Sequence, residues 1–367
     1  MSAITVDQVE ATMRELVSIP SRSQHEEQVR AYLEQRLATS GFATKIDPAG
    51  NLMALIPGTT GREDAPPLLY NGHMDRVPPG LACDPVVRDG RMHSDGQTNL
   101  GVDDAAGMTI ILLAVEALAA RQSAHGPLLL LFTVAEEIGL LGARAFDPIP
   151  WGVREGIVFD NAGDPGAVVT RGAAYLAFDA TLHGKSGHPG KDLADTASAI
   201  EMFRTLDLPG GIYDEGATRL SYGIICGGTA RNAIADTLTV QGELRTLTDA
   251  AGQAQWMTRI QTSFAKAAGS LGGTVEVVFD AHGASYVVDE QESLVQLYRS
   301  AWEARGRTYA TMPTFVGSDA NALRQRLRVF TVSTGVVDEH TVHESIELAP
   351  LVDLTEAAIT VASEYVG

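Results

Sequence analysis

The sequence is poor in cysteine, short of basic residues relative to acidic ones, and without long apolar runs. Its only cysteines, Cys83 and Cys226, lie far apart and form no Cys-x-x-Cys, which excludes a disulfide framework or a thiolate zinc cluster. Two reduced thiols are expected. Basic residues number 27 against 46 acidic ones, a formal net charge of −19 over 367 residues. Such a surface repels phosphate backbones and anionic lipid, so nucleic acid and membranes are not expected as partners. No stretch approaches the roughly 20 apolar residues that span a bilayer. The opening segment has no basic stretch followed by an apolar one, so no secretory leader is expected and a cytoplasmic location is predicted. Long runs of like charge, internal repeats and low-complexity segments are also missing.

What is present is a change of style along the chain. Short apolar runs at 52–56, 67–70, 128–134, 156–159 and 328–333 are too short for solitary helices and read as buried strands. Helical spacing appears at 6–18, from Asp104 to about Ala120, at 290–304 and from about 349. Ser23 to Glu26 reads as a capping box that opens a helix through about Ala38. The pattern predicts an α/β layer with a mixed, mostly parallel sheet covered by helices on both faces. Between about 172 and 286 the runs alternate polar and apolar residues, at 173–183, 219–225, 236–245 and 273–280, with helical stretches near 192–206 and 249–271. That predicts an inserted α+β domain of antiparallel strands with one helix-covered face. A chain this long favours two domains, here 1–171 with 287–367, and 172–286.

The chemistry-bearing residues gather where apolar runs end. His73 and Asp75 close the run LLYNGHMD; Asp103 precedes a helix; Glu136 and Glu137 follow LLLLFTVA; Asp160 follows GIVF; His343 precedes the last helix. Strand ends of an open α/β sheet form its ligand-binding rim. A carboxylate buried there costs several kcal/mol unless it is paired or metal-bound. Asp103, Glu137 and Asp160 with neutral His73 and His343 carry three negative charges, which two divalent ions and one hydroxide balance. Two ions about 3.5–4 Å apart share a carboxylate, and Asp103 is the expected bridge. Nitrogen and oxygen ligands without thiolate suit Zn²⁺, with Co²⁺ or Mn²⁺ as substitutes. Glu137 is read as a ligand and Glu136 as the general base. Asp75 is expected to accept the second ring N–H of His73.

These pieces resemble a known family. NGHMDRVPPG, SDGQTNLGVDDAAG, FTVAEEIGLLGARAF, FDNAG, HGKSGHPG, GGTARNAIAD, GELRT, GSDAN and TVHESIEL occur in the order seen in the dinuclear zinc exopeptidases. That family includes peptidase T, carboxypeptidase G, succinyl-diaminopimelate desuccinylase and the aminoacylases. VAEEIGLLGA and FDNAG resemble its peptidase T-like branch, although Ala105 stands where that branch carries a lysine. The resemblance implies a catalytic domain with an inserted lid that also dimerises, and a short peptide as substrate. It puts one ion on His73 and Asp160 and the other on Glu137 and His343, with Asp103 between them and a cis Asp103–Asp104 peptide. It also implies that His188 stabilises the oxyanion, that Asn232 and Arg245 bind substrate, and that Ser318 lies in a substrate-side loop. Asp160, rather than glutamate, leans towards aminopeptidases of the tripeptidase or dipeptidase type. The alternative is an N-acyl amino acid deacylase or carboxypeptidase-type amidohydrolase.

Overall fold

The structure, a computed structural model, describes residues 3–191 and 193–367. It divides into two compact units, Met1–Arg171 with Val287–Gly367, and Gly172–Tyr286.

In the first stretch of unit 1 the elements are α1 (Val6–Val17), α2 (Glu27–Thr39), β1 (Thr44–Ile46), β2 (Leu52–Ile56) and β3 (Leu68–His73). They continue as β4 (Val86–Arg88), β5 (Arg91–His93), α3 (Val102–Arg121), β6 (Leu128–Thr133), α4 (Leu141–Ala145), β7 (Glu155–Phe159) and β8 (Val168–Gly172). Unit 2 holds β9 (Ala174–His183), α5 (Ala199–Arg204), β10 (Gly211–Tyr213), β11 (Thr218–Gly227), β12 (Thr237–Thr246), α6 (Ala250–Ser270) and β13 (Thr274–Gly283). After β14 (Tyr286–Val287) come α7 (Ser293–Glu303), β15 (Thr311–Thr314), α8 (Ala320–Leu323), β16 (Arg328–Val332), β17 (Ser345–Glu347) and α9 (Leu348–Glu364).

The main sheet of unit 1 runs β1-β2-β6-β3-β7-β16-β8, with β15 also on β8. Its centre, β6-β3-β7-β16, is parallel, while β1, β2 and β8 pair antiparallel at the flanks. Every residue of β3, β6 and β7 is buried, as near-continuous apolar runs require. Helix α3 is apolar almost all round because it lies between α1, α9 and the sheet. The aromatic interior includes Tyr70 edge-on to Phe159 at 5.3 Å and Tyr298 edge-on to Phe330 at 5.8 Å. A second small sheet, β17-β5-β4, holds the chain between 337 and 347 against β5. This is the mixed α/β layer, flanked by helices, that the patterning predicts.

Helix α1 starts with a reciprocal Thr5–Gln8 capping box. Helix α2 does not start as expected. It opens at Glu27, and Ser23 caps nothing, because its hydroxyl is used elsewhere.

Unit 2 is one antiparallel sheet, β10-β11-β12-β9-β13. Alternate residues of β9 are buried, and Leu176, Phe178, Ala180 and Leu182 face a core shared with Met202, Trp256, Ile260 and Phe264 of α5 and α6. The helical stretch expected near 192–206 begins at Asp192, outside the described residues, and the ordered helix beyond it is short. Cys83 is buried and Cys226 exposed, both as free thiols.

Phe264 is fully buried and meets Phe178 and Tyr222 edge-on. Phe264→Ala is expected to lower unfolding stability by roughly 3–5 kcal/mol, measured by urea titration. A loss below about 1 kcal/mol would show that this core is not close-packed.

Candidate metal centre

Parallel strands place their carboxyl ends on one edge, and here that edge carries the acidic and imidazole groups. His73 ends β3 in register with Thr133 at the end of β6. Glu136 and Glu137 follow three and four residues later, past Ala135, whose φ of 52° turns the chain. Asp160 follows β7, and Asp103 sits where α3 begins, at two residues with non-helical backbone angles.

The side chains converge. His73 Nε2 lies 3.1 Å from Asp103 Oδ1, and His340 Nε2 lies 3.1 Å from Asp103 Oδ2. His340 Nε2 is also 3.1 Å from Glu137 Oε1. Within 4.8 Å of one another stand three triads: His73, Asp103 and Asp160; Asp103, Glu137 and His340; and His73, Glu136 and Glu137. Asp103 thus offers one oxygen to each of two imidazoles.

Five expected residues, His73, Asp103, Glu136, Glu137 and Asp160, are brought together. His343 is not. It is exposed and outside the cluster among the described residues, and His340 occupies the place expected for it. The reason is local. Val337 and Ser345 exchange two backbone hydrogen bonds of 2.9 Å, closing a loop whose tip is His340, in the left-handed region at φ 66°. That turn aims His340 at Asp103 and leaves His343 to solvent. The stretch HTVHE holds two histidines, and spacing alone does not choose between them.

Asp75 stands against the His73 ring as expected, but its nearer contact is through the backbone. His73 Nδ1 is 2.9 Å from the backbone carbonyl of Asp75 and 3.5 Å from its carboxylate. The Asp75 carboxylate also accepts from the Glu136 amide at 2.9 Å, the Glu137 amide at 3.3 Å and the Ser23 hydroxyl at 2.7 Å. Glu26 accepts from the amides of Ala135 at 3.0 Å and Gln24 at 2.8 Å. Ser23 and Glu26, read from sequence as a helix cap, therefore brace the turn that presents the two glutamates.

Other supports escaped the sequence reading. Asp104 accepts from the His73 amide at 3.0 Å and the Gly107 amide at 2.9 Å, beside an Asp103–Asp104 peptide that is cis, as the family resemblance implies. A Cβ at Gly107 would overlap the Phe159 carbonyl, so only glycine lets α3 approach the end of β7. Asp319 accepts from Asn71 Nδ2 at 3.1 Å and from the Thr133 hydroxyl, tying β3 to β6 beneath the cluster. Ser318 is buried, its Oγ 3.1 Å from Thr331 Oγ1, which gives it a supporting place in the turn into α8. In unit 2, His188 and Asn232 are exposed on loops. Arg245 lies on β12 with its guanidinium 4.1 Å over the Tyr175 ring.

The donor set fits divalent cations. Burial pushes the Asp160 carboxyl up to about 7, helped by the charge of Asp103. Burial likewise pushes Glu136 and Glu137 up, each with a neighbouring carboxylate adding to it. At Asp103 burial is outweighed by the two imidazoles, which hold it below the usual carboxylate range. Cations relieve that mutual repulsion. Glu137 Oε1 is buried and lacks an aligned hydrogen-bond donor even with His340 Nε2 at 3.1 Å, the position of an atom better suited to an ion than to a proton.

Residues 69–364 match peptidase family M20/M25/M40. Over 361 residues the chain is 28% identical to the uncharacterized protein YqjE of Bacillus subtilis, covering 95% of this chain and 96% of that one. It superposes on the crystal structure of aminopeptidase PepT from Bacillus cereus with a TM-score of 0.90 and 27% identity, covering 98% of this chain and 99% of that one. With a tripeptidase from Staphylococcus aureus the TM-score is 0.93 and the identity 25%, covering 99% of each chain. A match over most of the length, on a fold that gathers acidic and imidazole triads at its strand ends, makes this chain a member of peptidase family M20/M25/M40 and a peptidase T-like peptide hydrolase.

Proposed function

We propose that the protein is a two-metal exopeptidase that removes the N-terminal residue from di- and tripeptides. The observation that carries this is Asp103, whose two oxygens each face a separate imidazole at 3.1 Å. His73 and Asp160 would hold one ion with it, and Glu137 and His340 the other. Two divalent cations held there, read as Zn²⁺ with Co²⁺ or Mn²⁺ as substitutes, would polarise the scissile carbonyl and lower the pKa of water at the site towards about 7.

Glu136 stands in the cluster beside His73 and Glu137 but in neither triad that contains Asp103, which leaves it free to move protons. It takes the proton from the attacking water and returns it to the leaving amine. Burial raises its proton affinity, which suits a group that must hold and release a proton near neutrality. Asp75 acts on Glu136 through the backbone, fixing the amide rather than touching the reaction. The second unit is the lid. In this reading His188 carries the oxyanion, while Asn232 and Arg245 hold the substrate, the guanidinium suiting a carboxylate. The same reading includes a cytoplasmic setting and a homodimer through unit 2, whose strands expose Ile224, Ile225 and Val278. No helix among the described residues is long and apolar enough to cross a membrane.

Glu136→Gln is expected to keep both ions and the fold while kcat falls by roughly 10²–10⁴; turnover near the wild-type rate rules out this base. His340→Ala is expected to lose one ion per chain, with activity dropping beyond the roughly 10–100-fold typical of a residue that only supports a ligand. His343→Ala is expected to leave metal content and kcat unchanged, and the reverse pattern in metal analysis would restore His343 as the ligand. On a panel of peptides and N-acyl amino acids, followed by mass spectrometry, acetylation of the N-terminus is expected to abolish turnover. Preferred cleavage of N-acyl amino acids would mark a deacylase instead.

A further inference from the structure

We infer that Glu344 is a positioning residue that sets the affinity of the subsite formed by Asp103, Glu137 and His340. The inference rests on the two-metal reading above and concerns a side chain behind the cluster. Glu344 is 1% exposed. Its Oε2 accepts from the Gly101 amide at 2.8 Å and its Oε1 from the Asp103 amide at 3.1 Å. Gly101 lies at φ 78°, a left-handed turn that points amides two residues apart at the same anion. Glycine is required there twice over, since a Cβ would also overlap the Arg76 side chain.

Glu344 is bound just as firmly from its own side. Its carbonyl accepts from the Ser94 amide at 3.1 Å, and its amide donates to the Thr341 carbonyl at 3.3 Å. The next residue, Ser345, pairs with both Val337 and His93. Glu344 thus stands at the base of the loop whose tip is His340, while its carboxylate holds the backbone of Asp103. Two ligands from distant parts of the chain, Asp103 and His340, are registered to each other through one carboxylate. The negative charge is not alone in the interior. Arg76, 3% exposed, is buried alongside and is anchored by the Ser21 hydroxyl at 2.9 Å and the Leu100 carbonyl at 3.3 Å.

The other subsite depends less on this clamp. His73 is set by β3, its amide bond to Asp104 and its ring bond to the Asp75 carbonyl, and Asp160 by the end of β7. Only Asp103 is common to both. Removal of the Glu344 carboxylate leaves two buried amides without acceptors and frees the His340 loop from Asp103. A glutamine offers one oxygen to one amide but turns an NH₂ towards the other donor, so it restores only part of the clamp.

The test is Co²⁺ titration of metal-stripped wild type, Glu344→Ala and Glu344→Gln by calorimetry, with bound metal counted by mass spectrometry. In Glu344→Ala the ion that His340→Ala loses is expected to bind roughly tenfold or more weakly, while the other changes less than about threefold. The glutamine variant is expected between the two, and kcat is expected to fall in the same order with KM little changed. Unchanged affinities for both ions, or equal weakening of both, overturn the inference. If the alanine variant does not fold, the glutamine variant decides by the same two affinities. A wild type that takes up no second ion overturns the two-metal reading and this inference with it. A wild type that takes two, beside variants that also take two at the same affinity, overturns the inference alone.

Discussion

Everything at the rim of unit 1 depends on one shared carboxylate. Asp103 is surrounded by His73, Asp160 and Glu137, which are wholly or partly withdrawn from water, and by His340 at the exposed tip of its loop. Burial by itself drives such carboxyls towards the protonated form, and like charges around a common point add to that. Asp103 alone goes the other way, because an imidazole stands against each of its oxygens. A cluster of this kind is costly as a set of bare charges and favourable around cations, which is what makes it a candidate metal centre.

The surrounding chain meets that demand with more carboxylates, used differently. Asp75, Glu26, Glu344 and Asp104 each accept from backbone amides: those of Glu136 and Glu137, of Ala135, of Gly101 and Asp103, and of His73 and Gly107. None needs a salt bridge to be satisfied, because peptide N–H groups at sharp turns supply the positive ends of dipoles. The turns at Ala135, Gly101 and His340 all have positive φ, and each is held by one of these side chains or by the loop closure next to it. The residues that come from loops, Glu136, Glu137 and His340, are thereby held beside His73 and Asp103, which sit at the ends of β3 and α3.

The two units solve different packing problems. Unit 1 buries the whole of β3, β6 and β7 under helices, so the polar chemistry of these strands gathers at their ends. Unit 2 buries one face of an antiparallel sheet and leaves the other face available to polar and aromatic side chains, among them Arg245 stacked on Tyr175. A guanidinium held against a ring gives up less freedom on binding an anion than one on a bare surface.

Much of this was legible beforehand, since period and composition are properties of the chain alone. Runs such as LMALI and LLLLFT cannot be satisfied except as buried strands, and β2 and β6 follow them almost to the residue. The metal-type side chains were legible too, because carboxylates that end apolar runs have few other uses. What tertiary structure alone decided was direction. It turned His340 inward and His343 outward, gave the Asp75 carboxylate to the Glu136 and Glu137 amides, and set Ser23 and Glu26 against a turn far along the chain. These choices hang on single backbone dihedrals and on amides that become neighbours only after β6, β3 and the loop at 337–345 have met, and no local pattern in the sequence encodes such a meeting.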